Sequence, residues 1–168
     1  MQLGRAEAAL THEPDAAALV RSTREQAAST IGELRDLVRG IAPPVLTDRG
    51  LVAAAQSLTD RGHAALTVND STGAARLPPA VENAAYFVLA EALTNATKHA
   101  PAATTRVELT LGPDALIIDV TDDGPGGADP TGSGLTGLRA RIEALDGTLT
   151  LTSPDGGPTH LHAELACE

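Results

Sequence analysis

Proline does most to limit what this chain can fold into. Its ring fixes φ, removes an N–H and pushes the preceding residue away from α geometry, so a proline inside a helical pattern ends or opens a helix. Pro43-Pro44 closes a proline-free stretch running from Asp15, a plausible N-cap, to Ile41. Within it Val20, Ala27, Leu34 and Ile41 share one heptad position, and Ile31 and Val38 share the other, with Arg24 spoiling its first turn. A helix with such a stripe must bury it against another helix. Residues 1–10 read as a helical stub and Thr11-His12-Glu13-Pro14 as a turn. This arrangement predicts a truncated helical hairpin over 1–42 that dimerises through residues 15–41. Pro78-Pro79 opens a second long helix reaching about Lys98, and Pro101 closes it.

Between and beyond these helices the pattern changes. Residues 51–59 read as a short helix ended by Asp60-Arg61-Gly62, and 65–68 as a weakly alternating strand. Two alternating runs, 105–111 and 115–122, flank the turn Gly112-Pro113-Asp114 and predict a hairpin. Residues 123–134, dense in Gly, Asp and Pro, read as a mobile loop. A helix over 138–145, a strand over 148–152, the turn Asp155-Gly156-Gly157-Pro158 and a last strand over 160–165 complete the chain. Helices combined with consecutive hairpins indicate an α+β two-layer domain over 43–168 with a mixed or antiparallel sheet, rather than a doubly wound fold. There is no internal repeat.

Composition excludes several functions. In 168 residues, 12 Lys+Arg against 22 Asp+Glu give a formal charge of −10, and rings are confined to one Tyr and one Phe. A nucleic-acid duplex repels such a surface, and bases find nothing to stack on. The single cysteine, Cys167, excludes an internal disulfide and a cysteine-rich zinc site. No apolar run reaches spanning length and no basic-then-apolar leader opens the sequence, so a soluble protein of a reducing compartment is expected.

Three constellations could carry chemistry. Glu91, Asn95, Lys98 and His99 fall at i, i+4, i+7 and i+8 on the second long helix, within about a 100° arc. A carboxylate and an amide oxygen suit Mg²⁺, which takes one or two protein oxygens plus substrate phosphates. A solvated helix face would present a similar row, but Asn95 has poor mid-helix propensity. Earlier on the same helix, Val81, Ala84, Ala85 and Val88 form a stripe that suits packing on the sheet. Next, 120–127 (Val-Thr-Asp-Asp-Gly-Pro-Gly-Gly) ends a strand in acids followed by glycines, beside backbone that a ligand can approach. Asp122 could accept from an exocyclic amine and Asp123 could order metal-bound water, although Asp-Gly is also a common turn. Last, Gly132-Ser133-Gly134-Leu135-Thr136-Gly137 spells G-x-G-x-x-G but lacks the strand immediately before it that a dinucleotide fold needs. It still fits a phosphate cradle at a helix N-terminus. His160 and His162 alternate on one strand face without a third metal ligand in evident spacing, and His12 and His63 read as surface residues.

In this order the segments 91–100, 120–127 and 132–145 resemble the nucleotide-binding boxes of sensor histidine kinases of the GHKL ATPase superfamily. Residues 34–54 (LRDLVRGIAPPVLTDRGLVAA) resemble the second dimerisation helix and linker of the NarL-type subfamily. The resemblance implies a two-layer α/β sandwich with helices on one face of a mixed sheet, preceded by a long dimerisation helix. It implies ATP and Mg²⁺ as ligands, with Asn95 on the metal and Glu91 as the catalytic residue that orders water or assists proton transfer. Lys98 and His99 would approach the phosphates. Asp122 would accept from the adenine amino group, with Gly124 and Gly126 allowing close approach and Thr159 helping through water. Residues 127–136 would form a lid with Gly132, Gly134, Leu135, Thr136 and Gly137 at its cradling end.

One departure is notable. The family's phosphoacceptor histidine lies on a first dimerisation helix, and His12, followed by Glu13-Pro14, does not fit it. The expectation is a cytoplasmic kinase fragment that binds ATP·Mg²⁺ without autophosphorylating, from a longer protein whose upstream sensor region could anchor it to a membrane. Its partners would be a second copy and a response regulator carrying a LuxR-type DNA-binding domain. The alternatives are an anti-sigma-type serine kinase and a nucleotide-gated interaction module without turnover.

Overall fold

The computed structural model describes residues 43–71, 76–100 and 103–167. The expected helix over 15–41, the stub over 1–10 and His12 lie outside them. In chain order the elements are α1 (Pro44–Gly62), β1 (Ala65–Asp70), α2 (Pro79–His99), β2 (Thr105–Leu111), β3 (Ala115–Asp122), α3 (Ser133–Glu143), β4 (Thr148–Thr152) and β5 (Thr159–Ala166).

One five-stranded sheet has the order β1-β2-β3-β5-β4. β1 pairs with β2 in parallel, and the remaining pairs are antiparallel. The mixed α+β architecture matches the expectation. Register explains why one face is dry. Val107, Val120 and Leu161 stand side by side across β2, β3 and β5, as do Leu109, Ile118 and Ala163, and all six are buried. Period-2 alternation puts Arg106, Glu108, Asp119, His160 and His162 on the other face. α2 and α3 pack against the sheet, and Val81, Ala84, Ala85 and Val88 of α2 and Leu135, Leu138 and Ile142 of α3 are buried. Each such large aliphatic side chain contributes roughly 1.5–3 kcal/mol on burial.

Two helices differ from the sequence expectation. α1 begins at Pro44, seven residues before the expected short helix, and is interrupted at Gly50, whose φ of 81° is open chiefly to glycine. Pro44 opens the helix as readily as it would close one, because the first turn lacks amide partners anyway. The chain leaves α1 through His63 in the left-handed region, not through Gly62. The larger correction is α3, which starts at Ser133 instead of 138 and converts the end of the expected mobile loop into helix. Glycines at 134 and 137 argue locally against a helix. Leu135, Leu138 and Ile142, spaced three and four apart, bury one face and override that cost.

Candidate functional site

The C-terminal half of α2, the end of β3, the start of β5 and the first turn of α3 surround a cleft of about 480 Å³. That volume is ordinary for a small-molecule or cofactor site. Glu91, Asn95, His99, Asp122, Gly126, Gly132, Gly134, Leu135 and Thr159 line it. Lys98, Gly124, Thr136 and Gly137 lie outside the lining, and Lys98 is exposed on the last turn of α2. Sequence patterning did not single out the aliphatic wall formed by Ala96, Val120, Leu151 and Leu161, because no chemistry marks such residues.

Glu91 is buried and Asn95 half-buried. Asn95 Nδ2 donates to Glu91 Oε1 at 3.3 Å, so the amide's nitrogen is engaged and its oxygen is the atom left to ligate. Glu91 also lies against the first turn of α3, where a β-carbon on Gly134 would overlap its carboxylate. A carboxylate is electrostatically suited to a helix N-terminus.

Asp122 is buried at the end of β3 and paired in register with Thr159 of β5. Its Oδ1 accepts the Gly124 N–H at 3.0 Å. The glycines that follow serve packing more than open access. A β-carbon on Gly124 would meet Ala100 and Asp122, and one on Gly126, with φ 66°, would meet the Pro154 carbonyl. Asp123 is not part of the cleft lining; its Oδ1 accepts the Thr104 N–H at 2.6 Å, joining the residue after β3 to the residue before β2.

Downstream, Asp129 Oδ1 accepts from the backbone and hydroxyl of Thr131 at 2.8 and 2.7 Å. Those hydrogen bonds, the hydroxyl's first, lower its pKa. The bonded turn delivers the chain to Gly132, whose carbonyl accepts the Thr136 N–H at 3.0 Å and begins α3.

His160 and His162 belong to the outer sheet face, where both hydrogen-bond Asp119 Oδ1 at 2.8 Å. Among the described residues no group of three or more His, Cys, Asp or Glu is arranged to hold a metal ion. None of the described helices is long and apolar enough to cross a membrane.

Residues 80–168 match the model of the histidine kinase-, DNA gyrase B-, and HSP90-like ATPase family. The chain is 36% identical over 132 residues to the oxygen sensor histidine kinase NreB of Staphylococcus carnosus, covering 73% of this chain and 38% of that protein. With the sensor histidine kinase NarS of Mycobacterium tuberculosis it shares 37% identity over 89 residues, covering 48% of this chain and 20% of the relative. With the histidine-protein kinase/phosphatase DegS of Brevibacillus brevis it shares 29% over 150 residues, 83% of this chain and 39% of the relative. It therefore spans less than two fifths of the length of these relatives. The histidine kinase domain of a blue-light activated kinase from Erythrobacter litoralis has the same fold, with a TM-score of 0.53 at 20% identity over 98% of this chain and 94% of that one.

Proposed function

The chain belongs to the histidine kinase-, DNA gyrase B- and HSP90-like ATPase family, and from that premise we propose that it is the ATP-binding catalytic region of a two-component sensor histidine kinase. The observation that carries this reading is the convergence of Glu91 and Asn95 with Asp122 and the N-terminus of α3 on one cleft.

In this reading the base end of the cleft is formed by Asp122, Thr159 and aliphatic side chains. The Asp122 carboxylate accepts from the exocyclic amine of adenine, and Thr159 supplies a hydroxyl beside it. With no Phe, Tyr or Trp among the described lining residues, the base is held by Val120, Leu151 and Leu161. At the other end the amides of the first turn of α3 face anionic oxygens.

Charge decides how a polyanion can enter. Glu91, Asp122 and Asp129 line the cleft, against His99 as the one basic lining residue among the described residues. The donor set suits Mg²⁺: Asn95 offers an amide oxygen with its nitrogen already engaged, and oxygen ligation together with substrate phosphates is what that ion prefers. When bound, Mg²⁺ would neutralise phosphate charge; Asn95 would hold it and Glu91 would orient water or take a proton. His99, on the cleft lining at the end of α2, would approach the phosphates, with Lys98 on the exposed turn beside it.

The γ-phosphoryl group would pass to a histidine other than His12, on the family's first dimerisation helix, and then to a response regulator of the type with a LuxR-like DNA-binding domain. Residues 1–42 would form the dimerising helical part, and 43–168 the catalytic domain. The similarity of residues 34–54 to the NarL-type linker supports both assignments.

Titration of Mg·ATP into the 168-residue chain tests the core of the reading. Saturable binding that fails on removal of Mg²⁺ and weakens in Asn95→Asp and Asp122→Asn is the expected result; no binding to the wild-type chain rejects it. Incubation with γ-labelled ATP should leave the chain without acid-labile label, because His12, two residues before Pro14, does not fit the family's helical acceptor. A phosphorylated His12 would refute that part.

A further inference from the structure

The loop leaving β3 is stitched to the β4–β5 turn, and one side chain joins both to the cleft. The Gly127 N–H donates to the Ser153 carbonyl at 3.2 Å, and the Ala128 N–H donates to Ser153 Oγ at 3.0 Å. In return the Gly156 N–H donates to the Pro125 carbonyl at 2.7 Å. Ser153 Oγ also lies 2.9 Å from Thr159 Oγ1. Thr159 lines the cleft and is the direct cross-strand partner of Asp122.

A serine hydroxyl has one hydrogen and two lone pairs. One lone pair of Ser153 is used by the Ala128 amide. If the Ser153 hydrogen goes to Thr159 Oγ1, the Thr159 hydrogen is left to point elsewhere, and the open direction is the cleft. Asp122 then presents an acceptor and Thr159, beside it, a donor. That pair matches an exocyclic amine next to a ring nitrogen acceptor, met directly or through water, and mismatches an oxo group next to a ring N–H.

We propose that Ser153 is a positioning residue of the nucleotide site: it anchors the start of the 127–132 loop and orients the Thr159 hydroxyl as a donor beside Asp122. The inference rests on the ATP-binding reading. Neither Ser153 nor the turn that carries it contributes to the cleft lining, so the effect is exerted through Ala128 and Thr159.

The test is calorimetric titration of the 168-residue chain with Mg·ATP and Mg·ITP, whose base carries an oxo group and a ring N–H. Wild type, Ser153→Ala, Ser153→Thr, Thr159→Val and the Ser153→Ala/Thr159→Val double variant are compared. Loss of one hydrogen bond predicts that Ser153→Ala binds ATP about five- to tenfold more weakly and prefers ATP over ITP less than wild type does. Ser153→Thr should restore both, and Ser153→Ala should narrow the preference no further once Thr159 is Val. Digestion by a protease should cut within 127–132 faster in Ser153→Ala than in Ser153→Thr. Equal weakening for ATP and ITP with the preference intact, or additive narrowing in the double variant, overturns the proposal. Should Ser153→Ala fail to fold, Ser153→Cys, a poor acceptor of similar size, gives the same comparison. A wild-type chain that does not bind Mg·ATP rejects the nucleotide reading itself, before any variant is made.

Discussion

The Glu91 carboxylate occupies the space that a β-carbon on Gly134 would need. This contact joins α2, which carries the metal-binding candidate Asn95, to the first turn of α3, which offers amides to an anion. Only glycine at 134 lets the two approach. The clash falls on the far end of a side chain, so Gly134→Ala should move Glu91 rather than unfold the domain. Alanine also gains roughly 0.5–1 kcal/mol of helix propensity over glycine. The expected outcome is an unchanged or higher melting temperature with Mg·ATP bound about tenfold more weakly; a variant that binds like wild type would show that the Glu91 position is immaterial.

Gly126 should behave oppositely. Its φ of 66° disfavours any side chain, and the atom a β-carbon would meet is the Pro154 carbonyl, which cannot swing away as a side chain does. Backbone strain alone costs roughly 1–3 kcal/mol. Gly126→Ala is therefore expected to lower the urea midpoint clearly, with the loss in stability and not only in binding.

Arg76 and Glu82 set a third expectation. Arg76 Nη2 lies 2.6 Å from Glu82 Oε2 and donates also to the Leu46 carbonyl, tying the start of α1 to α2. Glu82 is buried while Arg76 is half-exposed, so removing the arginine strands a carboxylate in the interior. Arg76→Ala should destabilise the domain, and adding Glu82→Gln should recover part of the loss because a neutral amide costs less to bury. Chemical denaturation of the two variants decides; if the double variant is the weaker, the buried charge is not the cause.

Acid stability should depend on Asp119. Burial raises its pKa, but hydrogen bonds from His162 and His160 outweigh burial and leave the folded carboxyl below its ordinary value. A depressed carboxylate contributes stability that is present above its unfolded pKa of about 3.9 and lost as pH falls through the folded value. Asp119→Asn should therefore be less stable near neutrality and show a flatter loss of stability below about pH 4. Unfolding midpoints across that range measure it, and parallel acid limbs for variant and wild type would contradict it.

Much of the fold was legible because its signals are local. The hairpin of β2 and β3 follows from alternation around Gly112-Pro113-Asp114, and the buried stripe of α2 from its three-and-four spacing. The start of α3 was not legible, since glycines at 134 and 137 speak against a helix until Leu135 has a core to enter. Nor was the hydrogen bond of Asp123 to Thr104, since the pairing of β2 with β3 brings the two together.

What the sequence determined by itself is which chemistry is present: an acid and an amide one turn apart, acids at a strand end, a glycine-rich anion cradle, and too few rings or positive charges for nucleic acid. Register and helix docking decided what those groups do together. They paired Thr159 with Asp122, laid Glu91 on Gly134, brought Ser153 to both the loop and Thr159, and placed His160 and His162 on the far side of the sheet with Asp119. Residue spacing fixes which side of an element a group occupies, but which other element meets that side is set by long-range packing of the whole core.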